Sequence, residues 1–178
     1  MKVLVIATSL RENSNSDVLA RAFARGAEDA GHDVEFISLK GKKISYCDGC
    51  LSCQKTGRCV IADDMAEINE KIYAANVIAF ATPIYYYEMC GQMKTLLDRA
   101  NPLYGTDYHF RRVYLLSTAA EYDDSVPDRA IAGLCGWIEC FPKANFAGSI
   151  FKGGVNEPGE INGSRKIIAA YEAGKAIK

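Results

Sequence analysis

Histidine is nearly missing from this chain, with two in 178 residues. His32 follows Gly31 in an expected turn, and His109 lies in a polar stretch between a helix and a strand. Neither has a serine, cysteine or aspartate at a spacing that would build a hydrolytic triad, so nucleophilic hydrolysis lacks its usual base. An excess of one charge is also missing. The 21 Lys and Arg residues against 22 Asp and Glu leave a formal charge of −1, which gives no basic footprint for nucleic acid. Lys40, Lys42 and Lys43 read as a solvated turn. Apolar runs of membrane-spanning length are absent, and Met1-Lys2 leads only into the short run Val3 to Ala7 before polar Thr8. A cytoplasmic protein with no membrane and no nucleic-acid partner is therefore expected.

Two familiar phosphate signatures are missing as well: there is no G-x-x-x-x-G-K-[ST] and no G-x-G-x-x-G after the first apolar run. NTP hydrolysis and ordinary dinucleotide binding at that position lose their support. Beyond Ala7 the chain instead reads Thr8-Ser9-Leu10-Arg11-Glu12-Asn13-Ser14-Asn15-Ser16 and then enters a helical pattern. Such a loop offers hydroxyls, side-chain amides, one guanidinium and the unpaired N–H groups of a helix N-terminus, a set that holds a phosphate monoester without lysine. The same residue types are also favoured at any capped turn, so the loop by itself leaves both readings open.

With 49% apolar and 24% charged residues, the length suits one enzyme-sized domain over residues 1–178. Short apolar runs alternate with helix-period segments, the pattern of an α/β protein whose parallel sheet is covered on both faces. Strands are expected at Val3–Ala7, Val34–Ser38, Val77–Ala81, Val113–Ser117 and Phe146–Phe151. Helical spacing of Leu19, Ala22, Phe23, Gly26, Ala27 and Ala30 predicts a helix from about Ser16 to Gly31. Asp64 and Glu67 stand at capping-box spacing before Ile68 and Ile72. Further helices are marked by Leu96, Leu97 and Ala100, by Ile131, Leu134 and Ile138, and by Ile167, Ala170 and Gly174.

In such a sheet, ligands bind beyond the carboxyl ends of the strands where strand order reverses. Three segments meet that condition: Thr8 to Ser16, Thr82 to Cys90, and Ser117 to Asp124. The second carries Pro83-Ile84-Tyr85-Tyr86-Tyr87 and is expected to be a loop. A flat aromatic ligand with a phosphate tail would satisfy the first two together. Three consecutive tyrosines cannot all face one core, so at least one should meet the ligand or a partner subunit.

These residues resemble the flavodoxin-like NAD(P)H-dependent FMN reductases, and more closely the branch of iron-sulfur flavoproteins. The resemblance runs over nearly the whole chain. It is carried by the Ser9 to Ser16 loop, the cysteine run leading into Asp63-Asp64-Met65, Thr82-Pro83-Ile84-Tyr85, Gly91-Gln92-Met93-Lys94 with Leu97-Asp98-Arg99, and Gly159-Glu160-Ile161. It implies a flavodoxin-like three-layer sandwich with a five-stranded parallel sheet of order 2-1-3-4-5. It further implies FMN phosphate at Ser9, Arg11, Ser14, Asn15 and Ser16, and the flavin ring beside Pro83, Ile84, Tyr85 and Tyr86. Thr118, Ala119 and Ala120 take the third loop, where the family usually has glycine for close backbone approach. Homodimers or homotetramers are usual there, because a neighbouring subunit helps to cover the flavin.

Seven cysteines, an odd number, suit a reducing compartment. Cys90, Cys135 and Cys140 fall on helical segments, where core packing is expected. Cys47-x2-Cys50-x2-Cys53-x5-Cys59 brings four thiols into thirteen residues. A compact run of this kind can wrap a [4Fe-4S] cubane, whereas structural zinc more often draws on two separated knuckles. A metal-free thiol loop is the third reading of the same residues.

The expected function is an FMN-dependent oxidoreductase taking electrons from NAD(P)H to a quinone, a flavin or another small acceptor, with no catalytic side chain because the chemistry resides on the flavin. Two alternatives stand beside it. One is an iron-sulfur flavoprotein exchanging electrons with a ferredoxin-like partner; the other is a non-catalytic FMN-binding carrier.

Overall fold

The computed structural model describes residues 1–178 and begins with β1 (Lys2–Ala7), the strand on which the rest of the sheet is assembled. Its side chains alternate between two buried faces. Leu4 and Ile6 enter one apolar core, and Val3, Val5 and Ala7 enter the other. A strand buried on both sides requires helices on both sides, and the chain supplies them.

On one face lie α1 (Asn15–Asp29) and α6 (Arg165–Lys175), which bury Leu19, Phe23 and Ala170 against the odd-numbered side of β1. On the other lie α3 (Met65–Ala74), α4 (Gly91–Arg99) and α5 (Asp128–Glu139), contributing Met65, Ile68, Met93, Leu96 and Leu134. Each fully buried side chain of this size contributes about 1.5–3 kcal/mol. The two cores sandwich a sheet of β2 (Asp33–Ser38), β1, β3 (Val77–Tyr85), β5 (Arg112–Thr118) and β6 (Asn145–Lys152), in that spatial order and all parallel. Counting only these five strands, the order is 2-1-3-4-5, as the resemblance implied. A two-residue strand, β4 (Glu88–Met89), pairs antiparallel with the end of β3.

The outer layer formed by α1 and α6 depends on two glycines. A Cβ on Gly26 would lie 1.9 Å from the carbonyl oxygen of Tyr171, and one on Gly174 would lie 2.0 Å from that of Phe23. The helices therefore cross with backbone against backbone.

Two local expectations need correction. The stretch after Ala81 is not a loop: β3 continues through Pro83 to Tyr85, because Pro83 faces Thr118 in register and its missing N–H costs only one ladder bond near the strand end. Helix α1 starts at Asn15, close to the expected Ser16, with Ser14 as its cap accepting from the N–H of Asp17. Asp64 makes no capping bond to α3, since its carboxylate accepts the N–H of Lys43 while Glu67 pairs with Lys71. No helix is long and apolar enough to cross a membrane. The carboxyl ends of β1, β3 and β5 lie side by side, and the reversal of strand order falls between β1 and β3.

Candidate functional site

At that reversal the chain forms a cleft of about 160 Å³. Ser9, Arg11, Ser14, Asn15 and Ser16 line one side, with Pro83, Ile84, Tyr85, Thr118, Ala119 and Ala120 on the other. Eleven of the twelve residues expected at the ligand thus meet in one place. The twelfth, Tyr86, does not line this cleft. It lies instead in an adjoining apolar hollow of about 550 Å³ that shares Ile84, Tyr85, Ala119 and Ala120 with it.

The polar end is built from the N-terminus of α1. Ser9, Ser14, Asn15 and Ser16 are all buried, and the N–H groups of Asn15 and Ser16 have no protein acceptor. Two unpaired buried donors, the positive end of a fifteen-residue helix and two or three hydroxyls form an anion cradle. Thr8, although adjacent, is not part of it. Its hydroxyl donates to the Ala81 carbonyl at 2.9 Å and lies 3.2 Å from Cys90 Sγ, tying β1 to β3 underneath the site. Asp17 is the one acid in the first turn of α1. Burial pushes its carboxyl up, against the pull of the Ser14 hydroxyl and of Arg21.

Asn15 and Arg11 do something the sequence did not reveal. The Asn15 amide donates from Nδ2 to the Glu157 carbonyl at 2.9 Å, and its Oδ1 accepts the N–H groups of Gly159 and Ile161 at 3.1 and 3.2 Å. Arg11 Nη1 donates to the Asn156 carbonyl at 2.8 Å, and Nη2 lies 3.5 Å from the Glu157 carboxylate. Both side chains hold a C-terminal strap whose Val155, Asn156 and Pro158 complete the cleft wall. The motif Gly159-Glu160-Ile161 was the only sequence signal for this wall, and it carried no spatial information.

At the apolar end, Tyr86 and Tyr87 form the tip of the β3–β4 hairpin with φ of 50° and 65°. Two successive positive φ values are the mark of a type I′ turn, which Asn-Gly adopts cheaply and tyrosine does not. Tyr85, Tyr86 and Tyr87 are all exposed, in agreement with the expectation that three rings could not share a core. Ala119 and Ala120 are absent from the positive-φ residues, so glycine's freedom is not needed there. The N–H of Ala119 is committed to the Lys152 carbonyl, while that of Ala120 has no protein acceptor. The cleft can therefore take a flat ring against tyrosine and backbone at one end and a terminal phosphate at the other. The donor set and the apolar wall both fit FMN.

The four clustered cysteines do not converge. Cys53 is buried on the short helix α2 (Ser52–Thr56), where its sulfur accepts from Asn101 Nδ2 at 3.2 Å. Cys59 is half-buried beside the Arg99 guanidinium, and Cys47 and Cys50 are exposed. Nowhere do three Cys, His, Asp or Glu side chains come together as ligands, so the loop as folded does not fit a tetrahedral donor set for a [4Fe-4S] cluster or zinc. Of the remaining thiols, Cys90 is buried as expected. Cys140 is not: it sits exposed just beyond the last turn of α5, bonded to the Gly136 carbonyl. The histidines are not both loose, because His32 Nε2 lies 3.0 Å from the Ile177 carbonyl and joins the two ends of the chain.

The family model of NADPH-dependent FMN reductases matches residues 1–127. An iron-sulfur flavoprotein of Methanocaldococcus jannaschii (MJ1083) is 38% identical over 103 residues, covering 58% of this chain and 53% of that protein. One from Archaeoglobus fulgidus is 37% identical over 102 residues, covering 57% and 46%. The stretch of likeness spans about half the length of these curated relatives. A Bacillus subtilis protein, YwqN, provisionally described as an NAD(P)H-dependent FMN-containing oxidoreductase, is 29% identical over 183 positions covering 96% of this chain and 94% of its own. In fold, the NAD(P)H:quinone oxidoreductase of Methanothermobacter marburgensis superimposes with a TM-score of 0.74 at 19% identity, covering 100% of this chain and 99% of that one.

Proposed function

The chain belongs to the NADPH-dependent FMN reductase family, and from that premise we propose that it is an FMN-dependent oxidoreductase passing electrons from NADH or NADPH to a quinone, a free flavin or another small acceptor. The observation that carries this reading is the cleft itself, with unpaired buried donors of Asn15 and Ser16 at one end and Pro83, Ile84 and Tyr85 at the other.

Bound FMN would supply hydride acceptance and return of electrons, chemistry that needs no side-chain nucleophile. The chain's own part is binding and orientation. Ser9, Ser14, Ser16 and the α1 N-terminus would hold the phosphate, and Ile84, Tyr85, Thr118 and Ala119 would set the ring plane. The free N–H of Ala120 is a fixed donor at the ring end, where it favours negative charge by a preorganised dipole. The exposed Tyr86 and the neighbouring hollow leave room for a nicotinamide, a small acceptor or a second copy of the chain. A homodimer or homotetramer is part of this reading, and sedimentation equilibrium tests it.

The deciding experiment is anaerobic mixing of the flavin-loaded protein with NADH and with NADPH, followed at the flavin absorbance. Rapid bleaching by either nucleotide is expected. Bleaching only by a reduced ferredoxin would replace the reductase with an electron carrier.

A second reading is favoured by the relatives named iron-sulfur flavoproteins, at 31 to 38% identity. In the folded loop the thiols are not gathered as ligands. Anaerobic purification with iron analysis separates the two. About four irons per chain, lost in Cys50→Ser but kept in Cys135→Ser, would establish the iron-sulfur flavoprotein. Flavin without iron, with nicotinamide bleaching intact in Cys50→Ser, is the result the folded loop favours.

A further inference from the structure

We infer that the strap from Val155 to Ile161 selects a flavin monophosphate over a flavin dinucleotide, and that Glu160 is the residue that sets the strap in place; this rests on the flavin reading above and extends it to specificity.

The strap is tied at both ends. The N–H of Val155 donates to the Ala119 carbonyl at 2.9 Å, and the buried Ile161 is fixed through its own N–H to Asn15 Oδ1 at 3.2 Å. Between these ties the backbone turns over the phosphate end of the cleft. Glu160 makes the turn rigid: its Oε2 accepts the N–H of Asn156 at 2.6 Å and that of Glu157 at 3.0 Å. These two bonds hold the Glu160 carboxyl below the usual carboxylate range. Pro158 fixes a further φ, and Gly159 supplies the left-handed φ of 86° that the turn requires.

The wall so formed is unsuited to a second phosphate. A monoester dianion finds the α1 N-terminus and its free N–H groups. A diphosphate would have to extend beyond that cradle, where Asn156 and Pro158 line the cleft. The one cation lining the cleft is Arg11, and the Glu157 carboxylate lies 3.5 Å from it. An extra phosphate and nucleoside would meet an acidic, pre-formed backbone turn with no second cation to neutralise them.

The test is equilibrium binding of FMN, FAD and riboflavin to apoprotein by flavin fluorescence, for the native chain, Glu160→Gln, Glu160→Ala, and Glu160→Ala combined with Pro158→Gly. Circular dichroism and thermal unfolding confirm that each variant is folded. The native chain is expected to prefer FMN to FAD. That preference should fall at least about tenfold in the combined variant, through tighter FAD binding and not weaker FMN binding, the size expected for losing two charge-assisted bonds. Glutamine retains an acceptor oxygen and should restore most of the preference. An unchanged preference in the combined variant overturns the inference, and so does native protein that binds FAD as well as FMN. Native protein that binds no flavin at all overturns the flavin reading instead.

Discussion

Arg99 and Asp63 meet fork to fork, with Nη1 2.8 Å from Oδ2 and Nη2 2.9 Å from Oδ1. The Arg99 side chain is 1% exposed and that of Asp63 7%, so the pair is inside the protein. Arg99 also donates to the Ser45 carbonyl at 2.7 Å, and Asp63 accepts the N–H groups of Ser45 and Met65. Residues 45 and 63 are the two ends of the cysteine segment. One buried pair therefore closes the base of that loop, whatever its thiols do.

Removing one partner of this pair should be costly. Arg99→Met leaves the Asp63 carboxylate buried without its counter-charge, and about 3–5 kcal/mol of stability should be lost. The double variant Arg99→Met, Asp63→Leu removes the stranded charge and should recover most of that loss. Urea unfolding of the two variants measures both quantities; a double variant no more stable than the single would show that the pair itself stabilises.

The pair also predicts an acid limb. Burial alone would raise the Asp63 carboxyl, but hydrogen bonds from Arg99, Ser45 and Met65 outweigh it and hold the group below its usual value. A depressed folded pKa means that its stabilisation is complete above the unfolded value of about 3.9 and is lost as pH falls through the folded one. Stability of the native chain should decline below about pH 4 with a slope that the double variant reduces by up to one proton. Unfolding midpoints between neutral and strongly acid pH supply the comparison.

The helix crossing gives a prediction away from the site. Gly26→Ala and Gly174→Ala each drive a methyl into a backbone carbonyl, at 1.9 and 2.0 Å. Because backbone cannot swing aside, each should cost at the upper end of the overpacking range, about 3 kcal/mol or more. Flavin affinity of the surviving folded fraction should be unchanged, since neither glycine lines the cleft. A loss of affinity measured well below the unfolding transition would count against the separation of packing from binding.

Distance along the chain decides how much of this is legible in the sequence. The strands of the sheet announce themselves because β1 and β3 are buried on both faces and so read as unbroken apolar runs. The loop from Ser9 to Ser16 is legible because a cradle at a helix N-terminus is local chemistry. The Asn15 to Ile161 and Arg99 to Asp63 relationships are not legible, since the first ends on a backbone N–H that every sequence possesses and the second pairs side chains 36 positions apart. Pro83 misled in a different way. A proline usually ends a strand, but here its place at the end of β3 beside Thr118 lets the strand run on. Cysteine spacing alone did not show that Cys53 turns inward to Asn101.

The cradle separates two serines. Ser14 caps α1 by accepting the N–H of Asp17 at 3.2 Å, so Ser14→Ala should cost about 1 kcal/mol of stability as well as phosphate affinity. Ser16 has no capping role, but its buried hydroxyl lies 3.3 Å from that of Ser14, so Ser16→Ala should lose affinity with a smaller cost in stability. Both variants should weaken FMN far more than riboflavin, by about tenfold for each hydrogen bond removed. Equal losses for the two flavins would show that the loop does not hold the phosphate.

The strained hairpin carries the last prediction. Tyr86 and Tyr87 hold positive φ values without the glycine or asparagine that a type I′ turn prefers, a conformation costing of order 1–3 kcal/mol per residue. Tyr86 is 97% exposed, so no packing within the chain offsets its strain. Only the Tyr87 ring has a partner, the Arg129 guanidinium 5.8 Å from its centroid. A strained and exposed aromatic tip is expected where the rings meet something outside the chain, beside the hollow that adjoins the cleft. Tyr86→Asn together with Tyr87→Gly should therefore raise stability by about 1–2 kcal/mol while slowing transfer to a quinone acceptor. FMN affinity should hold, because neither side chain lines the cleft that takes the phosphate. Chemical unfolding, flavin titration and steady-state quinone reduction read the three quantities separately. If the Asn-Gly hairpin is no more stable than the native one, the tyrosine tip is not strained; if it is more stable and equally fast, the strain serves no acceptor.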